Sequence, residues 1–290
     1  MSKLSDTSQG IILMLAAIFL FSAMDATAKV LMARFDVLEV VWARYAGQMF
    51  VVALILLPRL PSLIRTHHLG LQLLRSAFLF GATWCFFTSL SFMEIASATA
   101  VMNIHPVLLT LGAALLLRER LGPRRIVGIA LALTGALIII RPGGDVMSWS
   151  SLLPLGAGIC YASYALTTRF LGRDEPILTS FLYTALIGTM AATALVIPVW
   201  EPPAASDWGI FLFLGIVGAA GQFLLIQSLS IAEAGAVAPF GYAGVVYSTF
   251  WGLVIFAEVP DAATIVGALV IVGAGVYVWH REKRAVAVGA

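Results

Sequence analysis

Apolar segments follow one another along almost the whole chain and are separated only by short polar stretches. Each is near or above the roughly 20 residues that a helix needs to cross about 30 Å of hydrocarbon. Strand-like segments of about ten residues with alternating polarity, typical of membrane β-barrels, do not occur. The pattern therefore predicts an all-α membrane protein with ten transmembrane helices, at residues 9–33, 37–57, 70–93, 97–117, 121–141, 150–171, 176–199, 207–231, 235–257 and 261–280.

Composition and charge agree with this prediction and add an orientation. Charged residues make up 11% of the chain, against about 25% in a soluble domain. If the N-terminus is cytoplasmic, only Arg34, Arg44 and Arg141 fall outside, and Lys29 lies within a span. The remaining basic residues fall inside: Lys3, Arg59, Arg65, Arg75, Arg118, Arg120, Arg124, Arg125, Arg169, Arg173, Arg281, Lys283 and Arg284. The positive-inside rule then places both termini in the cytoplasm, in a multi-pass protein of the inner membrane. The net charge of +2 reflects this topology and does not indicate nucleic-acid binding.

The second half of the chain repeats the first at an offset of 139 residues. The matches include Glu94 with Glu233, Thr110 with Thr249, Glu119 with Glu258, and 126–128 with 265–267. The predicted divisions are residues 1–144, residues 145–284 and a short cytoplasmic tail, 285–290. Because five is odd, the second half enters the membrane from the opposite side, which makes an inverted-topology repeat. Such repeats build transporters whose substrate site lies near the midplane between the halves.

One long stretch carries a family resemblance. Residues 91–144 read SFMEIASATAVMNIHPVLLTLGAALLLRERLGPRRIVGIALALTGALIIIRPGG. This pattern of a Pro-containing helix, a Glu-bearing loop and a Gly-spaced helix resembles the EamA-type branch of the drug/metabolite transporter superfamily. The second half has Ala257-Glu258 in the corresponding turn but lacks the terminal Arg-Pro-Gly. The resemblance implies a bacterial exporter of amino acids or related metabolites. It also implies a structural role for Glu119 and Glu258, each of which could meet the N-terminus of the following helix.

Ionisable residues within spans are costly and often functional. Asp25 and Lys29 lie four residues apart on one helical face. They could form a gate or a site for a zwitterion, or simply neutralise each other while Lys29 reaches the interface. Arg44, beside Trp42 and Tyr45, could receive a carboxylate or anchor the interface. His105 could line a cavity near the break expected at Pro106, or could merely be satisfied by a neighbour.

Aromatic and polar faces within several spans complete the candidate site. Trp84, Phe87 and Thr88 share one face of the third span, where either a cavity or helix packing would explain them. We predict a central cavity bounded by the third, fourth, eighth and ninth spans, with contributions from the first and sixth. The expected substrate-binding residues are Trp42, Arg44, Tyr45, Trp84, Phe87, Thr88, Asn103, His105, Tyr161, Tyr164, Gln222, Gln227 and Tyr242, and the expected gating or coupling residues are Asp25, Lys29 and His105.

The features together predict a secondary transporter that exports small metabolites, most simply amino acids, by alternating access. The chain lacks a Walker motif and a cluster of catalytic acids, so neither ATP hydrolysis nor an enzyme is expected. No cofactor, metal or nucleic-acid partner is predicted, and proton coupling is left open. Transport of another metabolite or a drug, or a role as a channel or scaffold subunit, are the alternatives. Cys85 and Cys160 both fall in spans and are expected to be small packing residues.

Overall fold

The computed structural model describes residues 6–56, 63–108, 112, 123–140, 152–171, 175–231 and 238–288. These parts of the chain form ten α-helices and no strand, which confirms the predicted all-α architecture. Two 3₁₀ turns, Ile197–Val199 and Ala238–Tyr242, adjoin α7 and α9. The helices are α1 Asp6–Met32, α2 Val37–Leu56, α3 Leu69–Leu90, α4 Ile95–Met102, α5 Pro123–Ile140, α6 Leu153–Leu171, α7 Ile177–Val196, α8 Trp208–Ile231, α9 Ala243–Phe256 and α10 Ala262–Val288.

The composition of these helices and of their outer surface matches a lipid environment. Five are long and apolar enough to span a bilayer unaided, within α1, α2, α3, α7 and α8. Four shorter apolar helices lie at Ile95–Leu108, Ile126–Ile139, Phe240–Phe256 and Ala262–Ala274. Large apolar side chains such as Leu54, Ile197, Val254 and Leu269 are exposed on the outside. A soluble monomer rarely exposes this much contiguous apolar surface, whereas lipid covers it without cost.

The helix contacts follow the inverted repeat. The pair α1–α8 has its counterpart in α6–α3, the pair α2–α8 in α7–α3, and the pair α1–α9 in α6–α4. The pairs α2–α7, α4–α9 and α5–α10 join equivalent helices across the pseudo-two-fold axis. Each half therefore builds the same arrangement in opposite orientation, as the sequence repeat predicted.

The fourth span is interrupted next to Pro106, as the sequence predicts. Helix α4 ends at Met102, a turn covers 103–104, and helical structure resumes at His105. Pro106 has no N–H and cannot donate to the carbonyl four residues earlier, which is that of Met102. The His105 ring occupies this acceptor instead, with Nδ1 and the Met102 oxygen 3.1 Å apart. The C-terminal end of the chain differs from its prediction. Helix α10 extends to Val288 and so includes part of the stretch that was predicted as a tail.

Glycines allow two helix pairs to approach closely. A Cβ placed on Gly135 of α5 would lie 2.8 Å from the carbonyl oxygen of Gly267 in α10. In the same way, Gly47 of α2 faces the backbone of Gly215 in α8, with no room for a side chain. Small residues at such contacts are typical of membrane helix packing. Ala132, also on α5, is fully buried.

Candidate functional site

Polar side chains from five helices and from the helical segment that begins at His105 gather deep in the bundle. The helices are α1, α2, α3, α6 and α8, and the side chains are Asp25, Arg44, Thr83, His105, Tyr161, Tyr164 and Gln222. All but Thr83 were candidates from the sequence. The structure therefore brings together side chains that are up to about 200 residues apart in the chain, as expected for a site between two halves.

Arg44 is buried but retains unused hydrogen-bond donors. Its Nη1 donates to the Thr83 hydroxyl at 2.6 Å, and its guanidinium lies 4.7 Å from the Tyr45 ring centroid. Thr83 donates its only hydroxyl hydrogen to the Leu79 carbonyl at 2.9 Å, so it can only accept from Arg44 and Tyr45. The Arg44 Nε is buried without a partner among the described residues. A guanidinium carries five donor hydrogens, so Arg44 can still bind an acceptor in the bundle.

Asp25 provides the opposite charge near Arg44. The two groups interact electrostatically, but their charged atoms are not within 4.0 Å of each other, since the ion pairs between described residues are Lys29–Glu258 and Arg34–Asp207. Asp25 lies deep among protein atoms but retains accessible surface, and the same is true of His105 and Tyr161. These three side chains are the candidates to line an internal space of the bundle.

The rings of His105, Tyr161 and Tyr164 contact one another in a row. The His105 and Tyr161 rings meet edge to face at a centroid distance of 4.7 Å, and the Tyr161 and Tyr164 rings lie 5.6 Å apart. Because the Met102 carbonyl can only accept a hydrogen bond, the His105 Nδ1 must carry a hydrogen. The Nε2 of neutral His105 is then an acceptor, available to a proton or to a donor on a ligand.

Arg75 contrasts with Arg44, and its placement corrects a sequence-based prediction. It had been counted with the inside loops, but it lies within α3 and is 1% exposed. Its guanidinium donates to the Thr168 hydroxyl (2.6 Å), the Ser180 carbonyl (2.9 Å), the Thr184 hydroxyl (3.0 Å) and the Tyr164 hydroxyl (2.9 Å). Tyr164 also accepts from Gln222 at 3.0 Å. These contacts make Arg75 a link between α3, α6 and α7, with four of its five donor hydrogens engaged.

Asn103 and Tyr242 are repeat mates with the same unusual environment. Asn103 follows the end of α4, and Tyr242 ends the 3₁₀ turn that precedes α9. Each is 6% exposed. Within the described residues, the Asn103 Nδ2 and the Tyr242 hydroxyl have no hydrogen-bond partner.

Lys29 closes the end of the bundle that lies opposite the two termini. Its ammonium pairs with Glu258 and donates to the Met93 carbonyl at 2.9 Å. The predicted pairing of Lys29 with Asp25 is therefore wrong, because Lys29 reaches the second half. Glu258 also accepts from the Ile95 N–H at 3.1 Å, so it meets the N-terminus of α4 and not that of the following helix. Glu119, its repeat mate, lies outside the described residues.

Five other candidates lie apart from the central group. Trp42 donates to Thr193 at 3.1 Å and lines an open apolar pocket of about 300 Å³ with Trp200. Trp84 is 41% exposed and packs on Phe80, and the nearby Thr88 hydroxyl donates to the Trp84 carbonyl. Phe87 is buried in the apolar core of α1–α3. Gln227 is half-buried on α8, one and a half turns beyond Gln222.

Asp25, Lys29, Arg44 and Arg75 lie in the first half, and none of them has a charged repeat mate. The repeat mates of Asp25, Lys29, Arg44 and Arg75 are Tyr164, Thr168, Tyr183 and Leu214. The fold is thus duplicated but the charged chemistry is not. Sequence inspection alone missed Thr83, which looks like an ordinary threonine within an apolar helix. It also missed Arg75, for which the apolar residues on both sides were the available signal.

Comparison with known proteins gives consistent results over the whole chain. The model of the EamA-like transporter family matches residues 8–141 and again residues 148–279. A riboflavin transporter of Vibrio cholerae is 28% identical over 95% of both chains. The pseudopaline exporter CntI of Pseudomonas aeruginosa is 29% identical over 94% of this chain and 97% of its own. An S-adenosylmethionine uptake transporter of Rickettsia prowazekii is 25% identical over 95% and 94%.

A solved crystal structure supports the fold independently. It matches 96% of this chain and 99% of its own with a TM-score of 0.67. At 22% identity, this likeness concerns the backbone arrangement alone.

Proposed function

The chain belongs to the EamA-like transporter family, and we propose that it is a secondary carrier for an amino-acid-type metabolite that works by alternating access. Membership makes it a multi-pass membrane transporter of small molecules and not an enzyme. The proposal concerns the finer points, namely the substrate class, the direction, the orientation and the residues that bind.

The observation that carries the substrate proposal is the separated pair of Arg44 and Asp25. An α-amino acid bears a carboxylate and an ammonium a few ångströms apart. The free donors of Arg44 suit the carboxylate, which a guanidinium can bind through two parallel hydrogen bonds. Asp25 suits the ammonium, and the His105 and Tyr161 rings can pack against the rest of the molecule.

The named relatives support a substrate of this size but differ among themselves. By name they move riboflavin, pseudopaline and S-adenosylmethionine. One is named an exporter and another an uptake transporter, so direction varies among relatives. We propose export across the inner membrane with both termini cytoplasmic, since basic residues concentrate on that side. A C-terminal reporter active only in the periplasm would refute this orientation.

Counterflow into proteoliposomes tests the substrate proposal. Purified protein would be screened with radiolabelled amino acids, and then with competitors that lack either the carboxylate or the amino group. We expect saturable exchange in which both groups are required. Linear, unsaturable flux would indicate a channel, and equal competition by the amine or acid analogues would refute the assignment of Arg44 and Asp25.

Substitutions of Arg44 and Asp25 test whether these residues impose the requirement for a carboxylate and an amino group. Removing one partner of a buried charge pair typically costs 2–5 kcal/mol, so Arg44→Gln should raise the half-saturating concentration at least about 30-fold. Asp25→Asn should weaken amino acids but spare the deaminated acids. Arg34→Gln is the control, because Arg34 is 63% exposed at one end of the bundle. Equal effects of the Arg34 and Arg44 variants would refute a binding role for Arg44.

Coupling to protons through His105 is a separate proposal. His105 contacts Tyr161 in the central group, and the Nε2 of the neutral ring can accept a proton. His105→Gln keeps a polar group but cannot titrate, so it should remove any pH dependence of uptake that His105 supplies. Liposome flux would be measured on equal amounts of monodisperse protein. Wild-type rates and pH dependence in the variant would remove His105 from the coupling route.

A further inference from the structure

Two of the buried donors that lack a partner among the described residues, Asn103 Nδ2 and Tyr242 Oη, stand at repeat-related positions, just after α4 and just before α9. A buried donor without a partner costs about 1–3 kcal/mol, and natural proteins contain few of them. Poor packing does not explain why two such groups occupy repeat-related positions. The two halves place different side chains there, an amide and a phenol, and both are buried without a partner. Interrupted helices at equivalent points of inverted repeats are also where such transporters place binding sites.

Both donors lie where helices of the two halves meet. On one side, Gly158 of α6 lets the break approach closely, since a Cβ there would lie 3.1 Å from the Met102 oxygen. On the other side, Tyr242 packs in the same apolar cluster as Val101 and Ile104. His105 immediately follows the break and contacts Tyr161. The donors therefore lie where α4, α6 and the start of α9 meet, next to the aromatic lining.

We infer that Asn103 and Tyr242 form a second subsite, which binds a neutral hydrogen-bond acceptor on the substrate's side chain. The inference rests on the proposed function, in which Arg44 and Asp25 hold the amino-acid end. Both donors are uncharged, and the cluster around Tyr242 is apolar, so a carbonyl or ring nitrogen fits better than a second carboxylate. The nearby rings favour a planar group. The substrate class is then an amino-acid-type metabolite with an amide or heteroaromatic side chain.

Thermal unfolding of the substrate-free protein gives a first test that needs no knowledge of the substrate. Tyr242→Phe and Asn103→Leu each remove a hydrogen-bond donor and leave the shape of the side chain nearly unchanged. If these donors lack a protein partner, their removal should leave Tm unchanged or raise it, because a desolvation cost disappears. Tyr247→Phe is the matched control on α9, where the ring packs on Phe19. A clear drop in Tm for the Tyr242 and Asn103 variants would show structural hydrogen bonds and overturn the inference.

Competition between two isosteric amino acids gives the second test. L-4-pyridylalanine and L-phenylalanine differ only by a ring nitrogen that accepts a hydrogen bond. In counterflow, the wild type should prefer pyridylalanine at least tenfold, and each variant should lose that preference while phenylalanine competes as before. Lack of preference in the wild type, or preference retained in both variants, overturns the subsite. If neither amino acid competes at all, the proposed function fails and the subsite fails with it, a result distinct from competition without preference.

Discussion

The contact between Lys29 and Glu258 joins the two halves at the end opposite the termini, and its removal should open that end. Lys29→Met keeps the aliphatic stem but removes the pair with Glu258, the hydrogen bond to the Met93 carbonyl and the position over the Phe256 ring. The side chains are only 15% and 18% exposed, so solvent screens the pair weakly. A hydrogen bond between charged groups contributes about 1.5–3 kcal/mol. A loss of about 2 kcal/mol raises the ratio of open to closed protein about 30-fold.

Labelling of a single cysteine measures this opening. Cys85 and Cys160 would be replaced by alanine, and Ser22→Cys would place a thiol on α1 beneath the contact, at a position that is buried in the closed state. A membrane-impermeant maleimide should label Lys29→Met about 30-fold faster than the parent. Arg34→Gln removes the exposed Arg34–Asp207 pair at the same end, and should change the rate less than about fivefold. Equal labelling of the Lys29 variant and its parent would refute the closing role.

Three further outcomes are expected. Gly47→Ala should lower Tm because the added Cβ meets the α8 backbone, whereas Gly70→Ala should not, since no atom lies within 4 Å of a Cβ there; equal shifts would contradict the packing account. Burial and the neighbouring Glu258 raise the pKa of Glu94 in the folded protein. Protonation of Glu94 therefore stabilises the fold at a pH below the ordinary pKa of glutamate, and this stabilisation is lost as the pH rises through the raised pKa. Glu94→Gln should accordingly raise Tm at neutral pH but not near about pH 4, and a pH-independent difference would argue against it. Trp42→Phe should leave competition ratios unchanged in counterflow, because Trp42 lies in the peripheral pocket; a changed ratio would return it to the substrate site.

The sequence was sufficient for the helices because their signal is local. A run of apolar residues long enough to span lipid can hardly be anything else, and the repeat offset then supplied the relation between the halves. Even the interruption at Pro106 was foreseeable, since proline withdraws a donor wherever it occurs. The compensation by the His105 ring was not foreseeable from the pattern. It depends on a side-chain rotamer that only the folded backbone selects.

The candidate site was predicted in part, and the errors share a cause. Residues one turn apart on a helix look like partners in a sequence, so Lys29 was matched with Asp25. The actual partner, Glu258, is 229 residues away and was assigned to its own helix junction. Arg75 was given to a loop because basic residues near a span end usually lie there, whereas its four acceptors come from α6 and α7. Partners that are distant along the chain leave no periodic signal in either segment.

In the proposed alternating-access carrier, the lack of charged repeat mates for Lys29 and its neighbours has a consequence for the two resting states. If both halves were identical, the states open to either side would have equal free energy. Here Lys29 closes one end with a charge that its mate Thr168 cannot supply at the other, so the two states differ in energy and one predominates at rest. Apparent affinity falls with the fraction of protein in the competent state, so half-saturating concentrations should differ between the two sides. Net flux must nevertheless vanish at equal substrate concentrations unless an ion gradient is coupled. The asymmetry can therefore determine to which side of the membrane the resting protein is open. Accumulation of substrate against its gradient requires a driving ion.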